Sequence, residues 1–216
     1  MKKQIENQLE KKAEKKEEKK TDETDTKKST VKKWKGKDWF TVLSPKMFGE
    51  KKIAETPCTD PKTIINRNIE VSLAEIIDQP AKYHMKLMLK ITHIKDKSAF
   101  TRFNGYVVLK EFMMRHVRKG SQKITLIEYF DTKDGWKLQV TTTSVMNRNV
   151  DANIKRKMRH LTSEMLSKNL SKLGIDDFIR ALIAGNIQRS IKKEGSKIYP
   201  VRFTEIEKVE VIKAGK

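Results

Sequence analysis

Apolar and polar residues alternate most regularly between positions 83 and 92. Tyr83, Met85, Leu87, Leu89 and Ile91 occupy every second position, and His84, Lys86, Lys90 and Thr92 fall between them. Successive side chains of a strand point to opposite faces, so this pattern predicts a half-buried β-strand. The next stretch, "AFTRFNGYVVLK", predicts a second strand that carries a bulge at Asn104-Gly105.

The same reasoning extends the β-rich region over residues 63–146. Thr63 to Ser72 reads as a strand, and Ser72 and Glu75 have the spacing of a capping box, which predicts a short helix. "LKEFMMRHVRKG" predicts another helix that stops near Gly120. "KITLIEYFDT" and "WKLQVTTTSV" flank Asp134-Gly135, which is typical of a hairpin.

After Met146 the period changes, and residues 150–194 are predicted to be helical. Apolar residues recur three and four apart, at Ile154, Met158, Leu161, Met165 and Leu166, and Gly174 is the expected stop. "IDDFIRALIAGNIQRSIKKEG" predicts one or two further helices. Residues 198–213 alternate again and predict a C-terminal strand that rejoins the sheet, with Val201, Phe203, Ile206, Val209 and Ile212 as inward residues.

The first thirty residues differ from the rest of the chain. They consist mainly of Lys, Glu, Thr and Asp, with too few apolar residues to offset the entropy of ordering, so residues 1–30 are predicted to be a disordered charged tail. Residues 31–216 are predicted to form a single domain. At its edge, "KKWKGKDWF" places Trp39 and Phe40 as expected anchors in the core; for Trp34, core packing and stacking on an RNA base are equally favoured.

The net charge of the chain favours a protein that binds a polyanion. The 216 residues carry a formal net charge of +20, with a pI of about 9.9. A globular enzyme has no folding reason for such self-repulsion, and the usual recipient is a polyanion. No apolar run approaches the roughly 18 residues that span a bilayer, and no signal-type segment follows the first lysines, so we expect a cytoplasmic protein without membrane contact.

Candidate chemistry is sparse. One cysteine, Cys58, excludes a disulfide framework and is best read as a small buried thiol. Asp176 and Asp177 fit the first turn of a helix better than a metal site. His84 and His93 are nine residues apart in the predicted strand and so face opposite sides. Without a phosphate loop or a metal spacing, the sequence predicts no enzyme, no cofactor and no metal.

Three basic clusters are more informative. The first comprises Arg148, Lys155, Arg156, Lys157 and Arg159 on a helix whose core side is expected at Ile154, Met158 and Leu161. Cations on the other side suit a phosphate backbone. The second comprises Arg115, Arg118, Lys119 and Lys123, for which a helix-dipole role is equally favoured. The third comprises Lys32, Lys33, Lys35 and Lys37 around Trp34.

These clusters leave two other functions to weigh against a structural RNA-binding protein. A free-standing RNA-binding or RNA-chaperone module would have a dedicated surface for reading bases, but neither an RNP-type aromatic pair nor a GxxG loop is present. A nucleic-acid enzyme would have clustered carboxylates or a histidine pair, and neither occurs.

Six short segments in one order resemble a known family. "KKWKGKDWFTVLSPKMF", "IEVSLAEI", "RFNGYVV", "DGWKLQV", "IKRKM" and "IYPVRF" are similar to segments of the archaeal and eukaryotic small-subunit ribosomal protein family S-three-A-e, also named eS-one. The resemblance covers about residues 32–213. The long C-terminal extension of eukaryotic members is missing, which favours an archaeal origin.

The resemblance implies an α+β fold, in which helices attach to an antiparallel, β-barrel-like sheet. The disordered basic N-terminal tail is predicted from composition alone, since its sequence does not match the family. The resemblance also implies a structural, non-enzymatic constituent of the small ribosomal subunit on its platform, near the mRNA exit. The expected partners are small-subunit rRNA, neighbouring ribosomal proteins and mRNA near the exit. The family's rRNA-contacting segments correspond here to Lys32, Lys33, Trp34, Lys35 and Lys37, and to Arg148, Lys155, Arg156, Lys157 and Arg159.

Overall fold

The structure, a computed structural model, describes residues 36–215. Within this range the chain forms eight β-strands, five α-helices and three single 3₁₀ turns. The strands are β1 (Asp38–Leu43), β2 (Lys52–Cys58), β3 (Asn68–Ser72), β4 (Met85–Lys95), β5 (Ser98–Val108), β6 (Gln122–Asp131), β7 (Lys137–Met146) and β8 (Val201–Lys213). The helices are α1 (Leu73–Ile77), α2 (Lys110–His116), α3 (Ala152–Leu170), α4 (Ile175–Ala184) and α5 (Asn186–Ile198), and the 3₁₀ turns are Lys46–Phe48, Pro61–Thr63 and Pro80–Lys82.

All eight strands join one sheet around β5. One edge of β5 pairs antiparallel with β4 over its whole length, and β3 follows on β4. The other edge is shared: β1 pairs in parallel with Ser98–Phe100, and β8 pairs antiparallel with Gly105–Val107. β2 extends the sheet from β1, and β7 and β6 extend it from β8.

The α+β class is confirmed, but the barrel-like closure is wrong. The sheet is mixed because β1 and β5 are parallel. It also stays open, since in residues 36–215 the outer strands β2, β3 and β6 each pair with one strand only. The helices attach to this open sheet, and residues of α3, α4 and α5 share the main hydrophobic core with β4–β8.

The central hairpin follows its sequence pattern closely. Met85, Leu87, Leu89 and Ile91 of β4 are buried as predicted, whereas Tyr83 precedes the strand and is exposed. Met88 lies opposite Gly105 and Leu89 opposite Phe103, so Asn104 is the extra residue of the predicted bulge. A Cβ at position 105 would lie 2.8 Å from the carbonyl oxygen of Val209, so glycine allows β8 to pass this close.

The C-terminal strand rejoins the sheet as predicted and lies between β5 and β7. Its register with β7 shifts three times, leaving Arg202, Glu207 and Ile212 without an opposite residue. Each shift interrupts the simple alternation. Val201, Ile206 and Val209 are therefore buried and Phe203 is half-buried, but Ile212 is exposed, contrary to the prediction.

The β-rich region begins earlier than residue 63, because β1 and β2 form a hairpin before it. Phe40 is buried, at 5 % exposure, against Ile91 and Ala99, which confirms one anchor. Trp39 is 57 % exposed, so its predicted packing is wrong. Neighbouring residues of a strand point to opposite faces, and only one of the two can enter the core. Pro57 lies in β2, an outer strand, where a proline is tolerated.

Helix ends differ from the glycine-based predictions. α3 ends at Leu170, and Gly174 instead precedes the first turn of α4. α2 ends at His116, before Gly120. The short helix after Ser72 is confirmed as α1, although the Ser72 side chain makes no capping hydrogen bond. Two helices follow α3, separated by Gly185 at φ +73°.

A carboxyl group is buried where α5 packs on β8. Glu205 is 9 % exposed, and its Oε1 accepts a 2.7 Å hydrogen bond from Nε2 of Gln188. Burial raises the pKa of Glu205, and hydrogen bonds from Gln188 and from the backbone of Ile206 only partly oppose this shift. The charged form of Glu205 therefore destabilises the folded state.

Replacing Phe40 by Ala should lower the free energy of unfolding by about 3 kcal/mol, because a buried phenylalanine is lost. In a chain of this size that corresponds to a fall in melting temperature of roughly 6–12 °C, measurable by thermal circular dichroism. Trp39→Ala is the matched control and should change stability by less than about 0.5 kcal/mol. Equal losses from both variants would contradict the placement of β1.

Glu205 should make stability depend on pH. A carboxyl whose folded pKa is raised favours the folded state fully only below its unfolded pKa, near 4.5, and this contribution is lost as pH rises through the folded pKa. Glu205→Gln should flatten this decline, measured by urea unfolding between about pH 4.5 and 8. Identical pH profiles for the two proteins would show that the Glu205 carboxyl is not destabilised by burial.

Candidate nucleic-acid interface

Strand pairing brings two of the basic segments to one end of the sheet. Gln122, the first residue of β6, lies opposite Met146, the last residue of β7. The backbone N–H of Asn147 also donates to the carbonyl of Pro200 at 3.3 Å. The connections before β6, after β7 and before β8 therefore lie together, and α3 starts from this point.

A contact between α3 and α5 brings two further lysines, Lys192 and Lys193, to this end of the sheet, and the sequence did not predict them. A Cβ on Gly195 of α5 would lie 2.7 Å from Cε of Met158, so α5 approaches α3 closely at this glycine. Lys192 and Lys193 are exposed within one turn of Gly195. The signal in the sequence is "IKKEG", a lysine pair just before a glycine in a predicted helix. We call the following group the basic end: Arg118, Lys119, Arg148, Lys155, Arg156, Lys157, Arg159, Lys192 and Lys193.

α3 displays most of the first basic cluster, with one change. Its fully buried stripe is Met158, Thr162, Leu166 and Leu170, four residues apart, while Ile154 and Leu161 are only half-buried. The hydroxyl of Thr162 is satisfied by the carbonyl of Met158 at 2.8 Å. Arg156, Lys157 and Arg159 are exposed as predicted, but Lys155 is half-buried because it lies seven residues, or nearly two turns, before Thr162.

The cations of the basic end form no ion pairs within residues 36–215. Six lysines of the described range form ion pairs, namely Lys51–Asp78, Lys52–Glu55, Lys86–Glu70, Lys123–Glu207, Lys197–Glu194 and Lys208–Glu210. None of the cations of the basic end lies within 4.0 Å of a carboxylate among residues 36–215. Cations held close together without counter-charges attract a polyanion.

The second basic cluster divides between structure and surface. Arg115 lies in the last turn of α2 and donates to the hydroxyl of Tyr83 at 3.0 Å. Nζ of Lys123 lies 3.3 Å from Oε2 of Glu207. These two side chains support the fold, whereas Arg118 and Lys119 are exposed and belong to the basic end.

One lysine of the third basic cluster, Lys37, lies within the described residues. Lys32, Lys33, Trp34 and Lys35 are outside the described residues, and Lys37 is exposed just before β1. β1 runs parallel to the start of β5, whereas β5 leads through α2 towards the basic end. An eleven-residue strand spans roughly 33 Å, so the two regions lie at opposite ends of the sheet. The structure therefore does not bring Lys37, the described lysine of the third cluster, to the basic end.

The residue types associated with catalysis serve the fold. Asp176 and Asp177 lie in the first turn of α4, as predicted. The thiol of Cys58 is buried and donates to the carbonyl of Asp60 at 2.9 Å. His84 precedes β4 and stacks on Phe112 with ring centroids 3.8 Å apart, while His93 stacks on Phe100. No group of three or more metal-ligating side chains occurs in the part of the chain that the structure describes.

A membrane-spanning helix is also not found: none of the helices in residues 36–215 is long and apolar enough to cross a bilayer.

Comparison with known proteins identifies the family. The profile of the Ribosomal S3Ae family matches residues 25–215. The small ribosomal subunit protein eS1 of Methanopyrus kandleri is 32% identical over 184 residues, which cover 83% of this chain and 87% of that protein. The eS1 proteins of Desulfurococcus amylolyticus (33% identity, 83% and 84% covered) and Sulfurisphaera tokodaii (30% identity, 87% and 97% covered) are similar as well. The resemblance read from the six segments is confirmed: the chain belongs to the Ribosomal S3Ae family, a family of structural ribosomal proteins and not of enzymes.

Proposed function

We propose that this protein is a structural constituent of the small ribosomal subunit that holds rRNA through its basic end. The observation that carries the proposal is that cations from two connections and two helices converge on one end of the sheet without carboxylate partners among residues 36–215. Six lysines outside the basic end have carboxylate partners, whereas none of its nine cations has one among residues 36–215. The protein then works in the cytoplasm, within the ribosome.

The expected contacts are mainly with phosphates. Guanidinium groups bind phosphate oxygens with two parallel hydrogen bonds, and ammonium groups act as mobile point charges. Arg156 and Arg159 lie three residues apart on α3 and so face the same side of the helix. This spacing suits successive phosphates of an irregular RNA backbone, with shape rather than base identity deciding the fit.

The position of the cations on α3 is better explained by RNA binding than by the stability of the helix. Lys155, Arg156 and Lys157 lie in the first two turns, near the partially positive N-terminus of the helix. Cations at that end weaken a helix, whereas an anion bound there stabilises it. A bound phosphate would relieve this repulsion, so the arrangement is explained by RNA binding and not by the stability of α3.

The finer placement extends this proposal. We place the protein on the platform of the subunit near the mRNA exit, with neighbouring ribosomal proteins and mRNA as further partners, as the family resemblance implies. Lys32, Lys33, Trp34, Lys35 and Lys37 would form a second rRNA contact. Because the chain enters β1 far from the basic end, this second contact would engage a different part of the RNA.

Replacing Lys155, Arg156, Lys157 and Arg159 by Ala should weaken rRNA binding by about tenfold or more at roughly 0.1 M salt, because phosphate contacts are lost. The dependence of log affinity on log salt should become shallower by up to about one for each lost contact. Filter binding to a small-subunit rRNA fragment over a salt series measures both quantities, and thermal unfolding checks that the fold is retained.

A matched control removes the same charge from other surfaces. The variant with Ala at Lys51, Lys52, Lys86 and Lys208 loses four lysines that already have carboxylate partners. It should bind the RNA fragment more tightly than the α3 variant. Equal affinities for the two variants would mean that net charge alone drives binding and that the basic end is not the site.

A further inference from the structure

A gap interrupts the sheet in the middle of β5. On the edge opposite β4, β1 covers Ser98–Phe100 and β8 covers Gly105–Val107. Within residues 36–215 no strand pairs with residues 101–104 along this edge, although the Thr101 hydroxyl donates to the carbonyl of Leu43 at 2.7 Å. The gap opens as a recess of about 200 Å³, which we call the notch; its lining includes Lys46, Met47, Arg102, Phe103, Trp136 and Asp176.

The floor of the notch is apolar and aromatic. Phe103 is buried, and Met47 and Trp136 are half-buried, so part of each remains accessible. The backbone N–H of Trp136 donates to the hydroxyl of Thr132 at 3.2 Å. Gly215 passes so close that a Cβ there would lie 2.6 Å from Cδ1 of Trp136. The indole is thus held in place, and the volume is below the roughly 300 Å³ at which pockets for whole small molecules begin.

The mouth of the notch is positively charged. Arg102 lies directly opposite Lys90 across β4 and β5, and like charges in this arrangement destabilise a sheet. On its other side Lys90 faces Asn68, and neither cation has a carboxylate within 4.0 Å among residues 36–215. Lys46 is exposed at the same mouth. The two cations that line the notch, Lys46 and Arg102, outnumber its one carboxylate, so the local charge favours binding of an anion.

The lining of the notch also contains one carboxylate, Asp176. Asp176 lines the notch from the first turn of α4, where it also complements the helix dipole. It forms no ion pair with Arg102 or Lys46. The notch thus has an acceptor for a hydrogen-bond donor and two cations for a negative charge.

We propose that the notch receives one unpaired RNA base. The base stacks against Trp136, Lys46 and Arg102 hold its phosphate, and the Asp176 carboxylate accepts a hydrogen bond from the amino group of the base. The inference rests on the proposed RNA-binding function and deepens it: the basic end holds phosphates, and the notch reads a base. An apolar side chain of a neighbouring protein would fill the floor but would leave Lys46 and Arg102 without an anion.

The chemistry also predicts a base preference. Cytosine carries an exocyclic amino donor that a carboxylate can accept, and uracil presents a carbonyl in its place. Single-stranded RNA is commonly recognised by stacking combined with hydrogen bonds to such base edges. The notch should therefore favour cytosine over uracil.

The test uses the full chain with cytidine and uridine hexanucleotides, whose binding is followed by fluorescence anisotropy at fixed salt. The wild-type protein should bind the cytidine oligomer about fivefold or more tightly than the uridine oligomer. Asp176→Asn should bring that ratio close to one, because an amide offers both a donor and an acceptor. Trp136→Leu should weaken both oligomers and Trp136→Phe should restore binding, since a ring is needed for stacking.

The control is the α3 variant with Ala at Lys155, Arg156, Lys157 and Arg159. It should lose affinity for the rRNA fragment while keeping the cytidine-to-uridine ratio. If Asp176→Asn and Trp136→Leu change neither oligomer, the notch proposal is wrong, and the rRNA result with the α3 variant still decides the proposed function separately. A photo-crosslinker at Lys46 in reconstituted subunits should capture RNA; capture of a protein there would overturn the notch proposal.

Discussion

The pairing of β8 between β5 and β7 is the interaction on which the rest of the structure depends. β8 is the only strand of the described part that joins β1–β5 to β6 and β7. It comes last in the chain, so the sheet is completed by contacts between residues far apart in sequence. Gly105 allows its close approach to β5, and three register shifts fit its thirteen residues to both neighbours.

This arrangement places both proposed RNA-binding surfaces, the basic end and the notch, at the margins of the sheet. The pairing of β6, β7 and β8 gathers their connections and creates the basic end. The sharing of one β5 edge by β1 and β8 leaves the notch between them. Each surface has residues on strands or helices, such as Arg156 on α3 and Arg102 on β5, which move less than loop residues do. A protein that fixes an irregular RNA needs such rigid contact points.

The sequence predicted those features that depend on local pattern. The β4–β5 alternation, the bulge at Asn104 and the helix from Ala152 follow from period and from glycine chemistry. The family followed from six segments in order. Ile212 was misplaced because bulges in β8 shift the alternation, and bulges arise from pairing with a distant strand. Trp39 and Lys155 were misplaced because exposure depends on which neighbour covers each side, and that is decided by tertiary packing.

The two proposed binding surfaces differ in how much of each could be predicted from the sequence. Clustered cations in "IKRKM" were visible, but their union with Lys192 and Lys193 required the contact between Gly195 and Met158. The notch joins Lys46, Arg102, Trp136 and Asp176 from four separate segments. No spacing rule connects such residues, because the gap that brings them together exists only when the sheet has formed.

The first experiment is a sucrose-gradient profile of cell lysate, which measures whether the protein sediments with the small ribosomal subunit. The protein should sediment with the small subunit in low salt and leave it only in high salt, because phosphate contacts weaken as salt competes for them. If the protein stays at the top of the gradient in low salt, the proposed association with the small subunit is wrong.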